Sequence, residues 1–430
     1  MMPGVRAGVA VVYLGAASGI LLGQAITTLT LNEAELLAIK NHPRIASAYL
    51  YAQAAGTAVK QVRSALQPLL TGNLTSVGAE RDTAISAGTL QTSGLASRAA
   101  TGLGFSQLLT DFGRTSTLAD SARIRAAAQD RNIATTRAQV LLQVEQTYYS
   151  VLTAEEVLKV ARARLEMQRL TLRQVSALAE SSLRSTLDVS FAEVAVSEAE
   201  LALYQAENNA RANHALLSAA IGDGMDGEFA VADVPLPGPI ADDAETLVRE
   251  GLKNRPDLSV AKLNQSAAER FALAESKLRY PAISAVGVVG VTPIHQKNFS
   301  NQYTAAGLNI SIPFLNGGLY AARRSEAEFR ARGSEKDAEV LALQVAVSIR
   351  VARIEAENSW RKISVTARLV DQAAKALRLA NARYEIGLSG ILELTQAQFA
   401  QTSAQIVAAS AKYDYLTRVA NLNYAIGASR

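Results

Sequence analysis

The sequence predicts a mainly α-helical protein with membrane β-structure, built from two copies of one unit in which a β-hairpin leads into long antiparallel helices. Three observations carry this. First, the 430-residue chain repeats itself: Lys40, Asn41, Pro43, Ile45 and Pro68 recur as Lys253, Asn254, Pro256, Leu258 and Pro281 at an offset of 213. Further on, Gly102, Gly113, Leu187, Ala192 and Gly222 recur as Gly307, Gly318, Leu392, Ala397 and Gly427 at an offset of 205. The second copy is therefore eight residues shorter between its proline and its glycine, and a length change confined to one place marks an exposed loop. Second, all ten prolines fall outside 69–234 and 314–430, which leaves two long stretches where helix can run unbroken. Third, the segment after Pro68 and after Pro281 changes to the two-residue periodicity of strands.

Each element follows in order. Residues 7–32 carry no charge, with Arg6 before them and Glu33 after; the apolar stretch Val9 to Leu22 and the small-residue exit at Gly23-Gln24-Ala25 read as a signal peptide over 1–25. Asn32 to about Leu66 reads as helix with a break at Pro43, and Pro68 ends it. Leu69 to Asp82 and Ala99 to Thr110 alternate apolar with Gly, Thr and Ser, giving a hairpin over about 69–110. In the second copy Ile283, Ala285, Val289 and Val291 share one side of a strand, and Leu308, Ile310 and Ile312 follow in the next. That hairpin spans about 282–314, with its loop at His295 to Asn301 and with Phe299 and Tyr303 near the edge. Asp111-Phe112-Gly113 and Asn316-Gly317-Gly318 are the turns into helix. From Arg114 to about Glu180 the stripe Val144, Val151, Leu158, Leu165, Leu172 has coiled-coil spacing, matched by Ile349, Ala356, Ile363, Val370, Leu377 in the helix from Leu319 to about Ile386. Such helices reach roughly 100 Å. Each turns once, near Ser181-Ser182-Leu183 and Gly387-Leu388-Ser389-Gly390, and returns to Gly222 or Gly427. The units are thus 26–222 and 242–430, joined by a proline-rich linker over 223–241.

Composition narrows the function. Hydrophobic residues make up 49% of the chain but aromatics only 5%, which suits close-packed helices more than one large globular core. A net charge of +4 without a basic run interleaved with aromatics excludes nucleic acid as a partner. No cysteine is present, so there is no disulfide framework, thiolate metal site or lipid-anchoring cysteine. His42, His214 and His295 lie on different elements without metal-ligand spacing. No Walker loop or nucleophile elbow occurs, and Gly102-Leu103-Gly104 lacks the third glycine of a dinucleotide loop. The chain reads as a non-enzyme without a cofactor. Tyr148, Tyr149 and Trp360 read as packing residues.

Four strands per chain cannot close a barrel, and an open edge in lipid would leave backbone groups unsatisfied at several kcal/mol each. Three chains supply twelve strands, an even number within the range of bacterial outer-membrane barrels. The competing reading is a non-channel structural coiled-coil protein of the cell envelope, with soluble hairpins capping a helical rod and extraction without detergent.

With the duplicated Lys-Asn-x-Pro-x-(Ile/Leu) start, the proline before each hairpin, the two turns and the motif Arg383-Tyr384-x-x-Gly387 followed by Leu392-Glu393-Leu394-x-x-Ala397-Gln398, the chain resembles the TolC-type outer-membrane efflux proteins. The resemblance covers nearly all of the mature sequence. It implies a homotrimer whose twelve-stranded barrel, set in outer-membrane lipid of a Gram-negative-type bacterium, continues into a helical tunnel across the periplasm. It implies docking at the helix-turn-helix tips onto a periplasmic adaptor (membrane fusion) protein and an inner-membrane pump of the RND or ABC type. Drug efflux, metal efflux and type I secretion all use such a conduit.

The resemblance also assigns candidate residues. Glu393 falls on the first acidic gate position, where a threefold carboxylate ring favours cations. Gln396 falls where some relatives carry a second acid, so a single ring is expected. Asp188 is the first-copy counterpart of Glu393. Arg383, Tyr384, Gly387, Leu388 and Ser389, with Ser182 and Leu183 of the first copy, form the docking tips. Ala177-Leu178-Ala179-Glu180-Ser181 stands against Arg383-Tyr384-Glu385-Ile386-Gly387 without a glycine, a departure from the pattern that leaves the geometry of the first tip open.

Overall fold

The computed structural model describes residues 28–78, 86–87, 90–91, 97–222, 229–294 and 300–428. The expected signal peptide, Phe299 and most of the His295–Asn301 loop lie outside them. The chain runs β1 (Thr28–Leu29), α1 (Leu31–Asn41), α2 (Pro43–Ser64), β2 (Leu69–Val77), the short pair β3 (Ser86–Ala87) and β4 (Leu90–Gln91), β5 (Arg98–Thr110), α3 (Arg114–Glu180) and α4 (Thr186–Ile221). It continues through β6 (Ala230–Val231), α5 (Ala244–Asn254), α6 (Pro256–Ser276), β7 (Ala282–Ile294), β8 (Gln302–Ser311), α7 (Leu319–Glu385) and α8 (Ile391–Ala425). β3 and β4 pair with each other in the longer first-copy connection, where the eight extra residues lie.

Local chemistry sets the boundaries. Thr30 and Glu33 form a reciprocal cap on α1, with the Thr30 amide 2.9 Å from a Glu33 carboxylate oxygen and the Glu33 amide 3.3 Å from the Thr30 hydroxyl. Pro43 and Pro256 open α2 and α6 at the first helical position, where the missing N–H has no helical partner to lose. α3 and α7 are each 67 residues long. Both begin after two consecutive left-handed residues: Gly317 and Gly318 at φ 61° and 81°, and in the first copy Phe112 and Gly113 at φ 54° and 80°. A left-handed phenylalanine is strained. Its ring lies 5.6 Å from that of Tyr280, and Asp111 accepts the Thr115 amide at 2.7 Å, so packing and capping hold the turn.

The four long strands form one antiparallel sheet in the order β2-β5-β7-β8. Its register puts Leu70, Leu74, Leu103, Phe105, Ile283, Ala285, Val289, Val291, Leu308 and Ile310 on one face and Thr71, Asn73, Thr75, Ser106, Ser284, Asn309 and Ser311 on the other. The apolar face is uncovered: Leu70, Leu74 and Leu308 are each at least 65% exposed. No helix among the described residues is long and apolar enough to cross a membrane. On the polar face the Tyr303 ring lies over Gly290 and Gly102; a Cβ on either would come within 2.4 Å of Tyr303. The glycines that thin β5 and β7 therefore make room for an aromatic bridging three strands.

The helical core is small-residue and layered. Val140, Val144, Tyr148 and Val151 of α3 pack on Leu217 and Ile221 of α4 and on Tyr413 and Leu416 of α8. Tyr148 is fully buried, and its hydroxyl sits 2.7 Å from the Ala232 carbonyl and 2.9 Å from that of Leu29. It thereby pins the parallel pair β1 and β6, which joins the chain's start to the linker. Trp360 packs on Tyr415 with ring centres 5.1 Å apart and planes tilted by 56°. Tyr148 and Trp360 are packing residues, as the sequence implies.

Beside this core, Glu145 of α3 and Glu35 of α1 bring two carboxyls close enough to act on each other. Burial, and then the Glu35 charge, push Glu145 up to about 7. A carboxyl that holds its proton more tightly folded than unfolded gives stability that is full at low pH and lost as pH rises through the folded value. Between about pH 5 and pH 7.5 the protein should lose on the order of 1–3 kcal/mol from this pair. Glu145→Gln should raise the melting temperature at pH 7.5 and flatten that stretch of the pH profile; an unchanged profile would contradict the assignment.

Candidate functional site

Both helix-turn-helix tips close in the same way, although the first carries no glycine. In the second, the Leu388 amide donates to the Arg383 carbonyl at 2.8 Å and the Gly387 amide to Tyr384 at 3.1 Å, with Gly387 at φ 79°. In the first, Leu183 donates to Leu178 and Ser182 to Ala179, each at 2.9 Å, with Ser182 at φ 57°. These are two Schellman closures. Ser182, not Ser181, occupies the glycine position, in agreement with the 205 offset; the residue-by-residue correspondence Ala177–Ser181 to Arg383–Gly387 is one position out. A serine accepts the left-handed conformation because the six-residue hydrogen-bond pattern holds it. Leu183 and Leu388, which follow, project to solvent at 69% and 67% exposure.

Arg383 and Glu393 face each other from the last turn of α7 and the first turn of α8, with Nε and Oε1 3.0 Å apart. Each also sits at the helix end its charge favours. Both are about half exposed, so the pair adds at most about 1 kcal/mol. Gln396 is exposed one turn further along α8, on the face of Glu393. Asp188 lies in the first turn of α4, half-buried, beside Tyr384. Burial, opposed by the Arg184 charge and aided by that of Asp188, raises the Tyr384 hydroxyl above its ordinary value. Ser389 lies in the connection to α8 with its hydroxyl buried and unpartnered.

The residue that joins the two tips is one the sequence reading passed over. Arg184, in the first turn, donates to the Tyr384 carbonyl and lies over the Tyr384 ring at 4.2 Å. Beneath it Val175, Leu377, Tyr384, Ile391 and Leu394 form a buried cluster, and the Gln398 amide reaches the Thr171 hydroxyl at 3.2 Å. The structure thus brings Tyr384, Arg383, Glu393 and Asp188 to one end of the bundle. The only trace of Arg184 in the sequence is a cation where the repeat has Ser389.

No group of acids and histidines able to hold a metal occurs among the described residues. The family model described as "Outer membrane efflux protein" matches residues 36–223 and 247–428. The chain is 25% identical to the outer membrane protein TolC of Vibrio cholerae over 96% of its own length and 94% of that protein's, and 23% identical to TolC of Escherichia coli over 95% and 85%. Among solved structures, the CmeC outer membrane channel of Campylobacter jejuni superposes with a TM-score of 0.80 at 16% identity, covering 99% of this chain and 94% of that one. VceC of Vibrio cholerae superposes at 0.76 with 19% identity, covering 92% and 96%. The chain belongs to the outer membrane efflux protein family, whose members are passive channels of the outer membrane rather than enzymes.

Proposed function

We propose that three copies of this chain close into a gated conduit that carries substrates from a periplasmic pump and adaptor to the exterior. The observation that carries this reading is an unfinished repeat. Within the chain, first-copy β5 pairs with second-copy β7, and first-copy α3 packs against second-copy α6. The reciprocal contacts, β8 with β2 and α7 with α2, would complete the pattern but need a further copy. β2 and β8 are the open edges of the sheet. The corresponding stretches carry bare apolar side chains: Phe329, Val340 and Leu343 on α7, and Tyr49 and Leu50 on α2. Threefold closure satisfies every edge and face at once.

In this conduit the tips meet the adaptor through Leu183 and Leu388, flanked by Ser182, Gly387 and Ser389, and an RND or ABC pump drives transport, since the sequence carries no Walker loop. Glu393, held by Arg383, supplies a single acidic ring at the narrow end, with Gln396 neutral behind it and Asp188 bracing Tyr384. Planar-bilayer recordings of the trimer should show cation-preferring channels, and Glu393→Ala should move the cation-to-anion permeability ratio towards one. Folded trimers without conductance would overturn the conduit.

A further inference from the structure

We propose that the cleft between α3 and the α5–α6 junction is a binding site for a multivalent oxyanion, a phosphate or polycarboxylate. Its volume is about 470 Å³, and Arg131, Thr135 and Arg137 of α3 face Lys253, Arg255 and Tyr424 across it. The one carboxylate in the cleft, Asp257, is fully committed: Arg255 Nε and Nη2 lie 2.9 and 2.5 Å from its two oxygens, and the Leu258 amide donates to it at 2.9 Å. Arg255 is held besides over the Tyr424 ring at 5.2 Å. Arg131, Arg137 and Lys253 have no hydrogen-bond or ion-pair partner among the described residues. Of the other arginines on α3, Arg114, Arg123, Arg162, Arg164 and Arg169 each meet a carboxylate and Arg125 lies over the Phe271 ring, while Arg173 alone shares the unpartnered state.

An independent observation points the same way. α3 has four buried threonines, of which Thr115 donates to Asp111, Thr117 to the Gly113 carbonyl and Thr171 to that of Met167. Thr135, the fourth, is 9% exposed and lines the cleft with its hydroxyl unpartnered. A buried hydroxyl without a partner is costly, and an oxyanion among three free cations satisfies it. Guanidinium forks suit phosphate and carboxylate oxygens in particular. The second copy lacks these groups: the positions 205 residues on are Lys336, paired with Glu339 at 2.7 Å, then Val340 and Ala342. The cleft lies within one chain, where α3 packs against α6, and not at the α7–α2 seam. A bound anion therefore ties the first copy to the second, whether or not the assembly conducts.

The test is calorimetric titration of the detergent-extracted full-length protein with inorganic phosphate and, separately, citrate, at matched ionic strength in chloride. Saturable binding of at least one of them, at one site per chain, is expected, and the better ligand identifies the phosphate or the carboxylate source. The double variant R131Q/R137Q should weaken binding by at least about tenfold. Thr135→Val should weaken it several-fold while leaving the unliganded melting temperature level or higher. Lys336→Gln, the second-copy control, should change nothing. Absence of saturable binding of either anion to the wild-type protein, or binding that survives R131Q/R137Q in a normally folded protein, would overturn the site.

Discussion

Glu275→Ala should cost about 3 kcal/mol and loosen the junction between sheet and helices. Glu275, the penultimate residue of α6, is only 2% exposed. It receives Arg114 of α3 at 3.1 Å on one oxygen and approaches Arg323 of α7 at 2.8 Å on the other, the second contact close but not aligned as a hydrogen bond. Lys277 adds a third cation nearby, its amine 3.1 Å from the Gly113 carbonyl and 2.8 Å from the Thr117 hydroxyl. One buried carboxylate therefore anchors three helices just where they meet the strands. Removing it strands two guanidiniums beside an ammonium. Because Arg114 and Arg323 are 26% and 44% exposed, water recovers part of that loss, which places the effect at the low end of the buried-pair range of roughly 3–5 kcal/mol. Thermal melting followed by circular dichroism should show the drop, and hydrogen exchange should accelerate first around Arg114 and Glu275. Glu275→Gln, which keeps the shape and some hydrogen bonding, should lose less.

Tyr148→Ala should be at least as damaging, about 3–5 kcal/mol, because a fully buried ring leaves a cavity at the meeting point of α3, α4 and α8. Tyr148→Phe separates the two contributions of the side chain. It keeps the packing and removes only the hydroxyl, which costs about 1 kcal/mol. The Ala232 carbonyl would lose its donor, while the Leu29 carbonyl still accepts the Ala232 amide at 2.9 Å. Equal losses for the two variants in equilibrium melting would mean that Tyr148 acts through its hydrogen bond rather than through packing.

The long elements were legible because their signals are periodic and long. The heptad stripe beginning at Val144 and the absence of proline after Pro68 predict a helix from Arg114 to about Glu180, and α3 has those ends. The alternation through Ile283, Ala285, Val289 and Val291 falls on one face of β7, as predicted. Short elements had no such signal. β1 and β6 are two residues each, pair in parallel across some two hundred residues of chain, and are held by Tyr148 rather than by any pattern of their own. At the tip, glycine marked the turn in one copy only. Phe112 and Ser182 adopt left-handed backbone where Gly317 and Gly387 do so without strain, and a residue held there by its surroundings leaves no compositional trace. Arg184 was invisible for a related reason, since its partner Tyr384 lies 200 residues away and only the folded bundle brings the two tips together.

The central claim, that each chain is one third of a closed structure, has a direct chemical test, made clean by the absence of native cysteine. In the intrachain register Gly104 lies opposite Val288. Carrying that pair through the repeat offsets of 205 and 213 sets Asn309 of β8 opposite Thr75 of β2 in the next copy. Paired antiparallel strands bring opposed Cα atoms to about 4.5–5.5 Å, within disulfide range. The double variant T75C/N309C, oxidised in outer-membrane fractions, should run on a non-reducing gel as a covalent trimer that reductant returns to monomer. Exclusively monomeric product from folded, membrane-inserted protein would contradict threefold closure along these two edges.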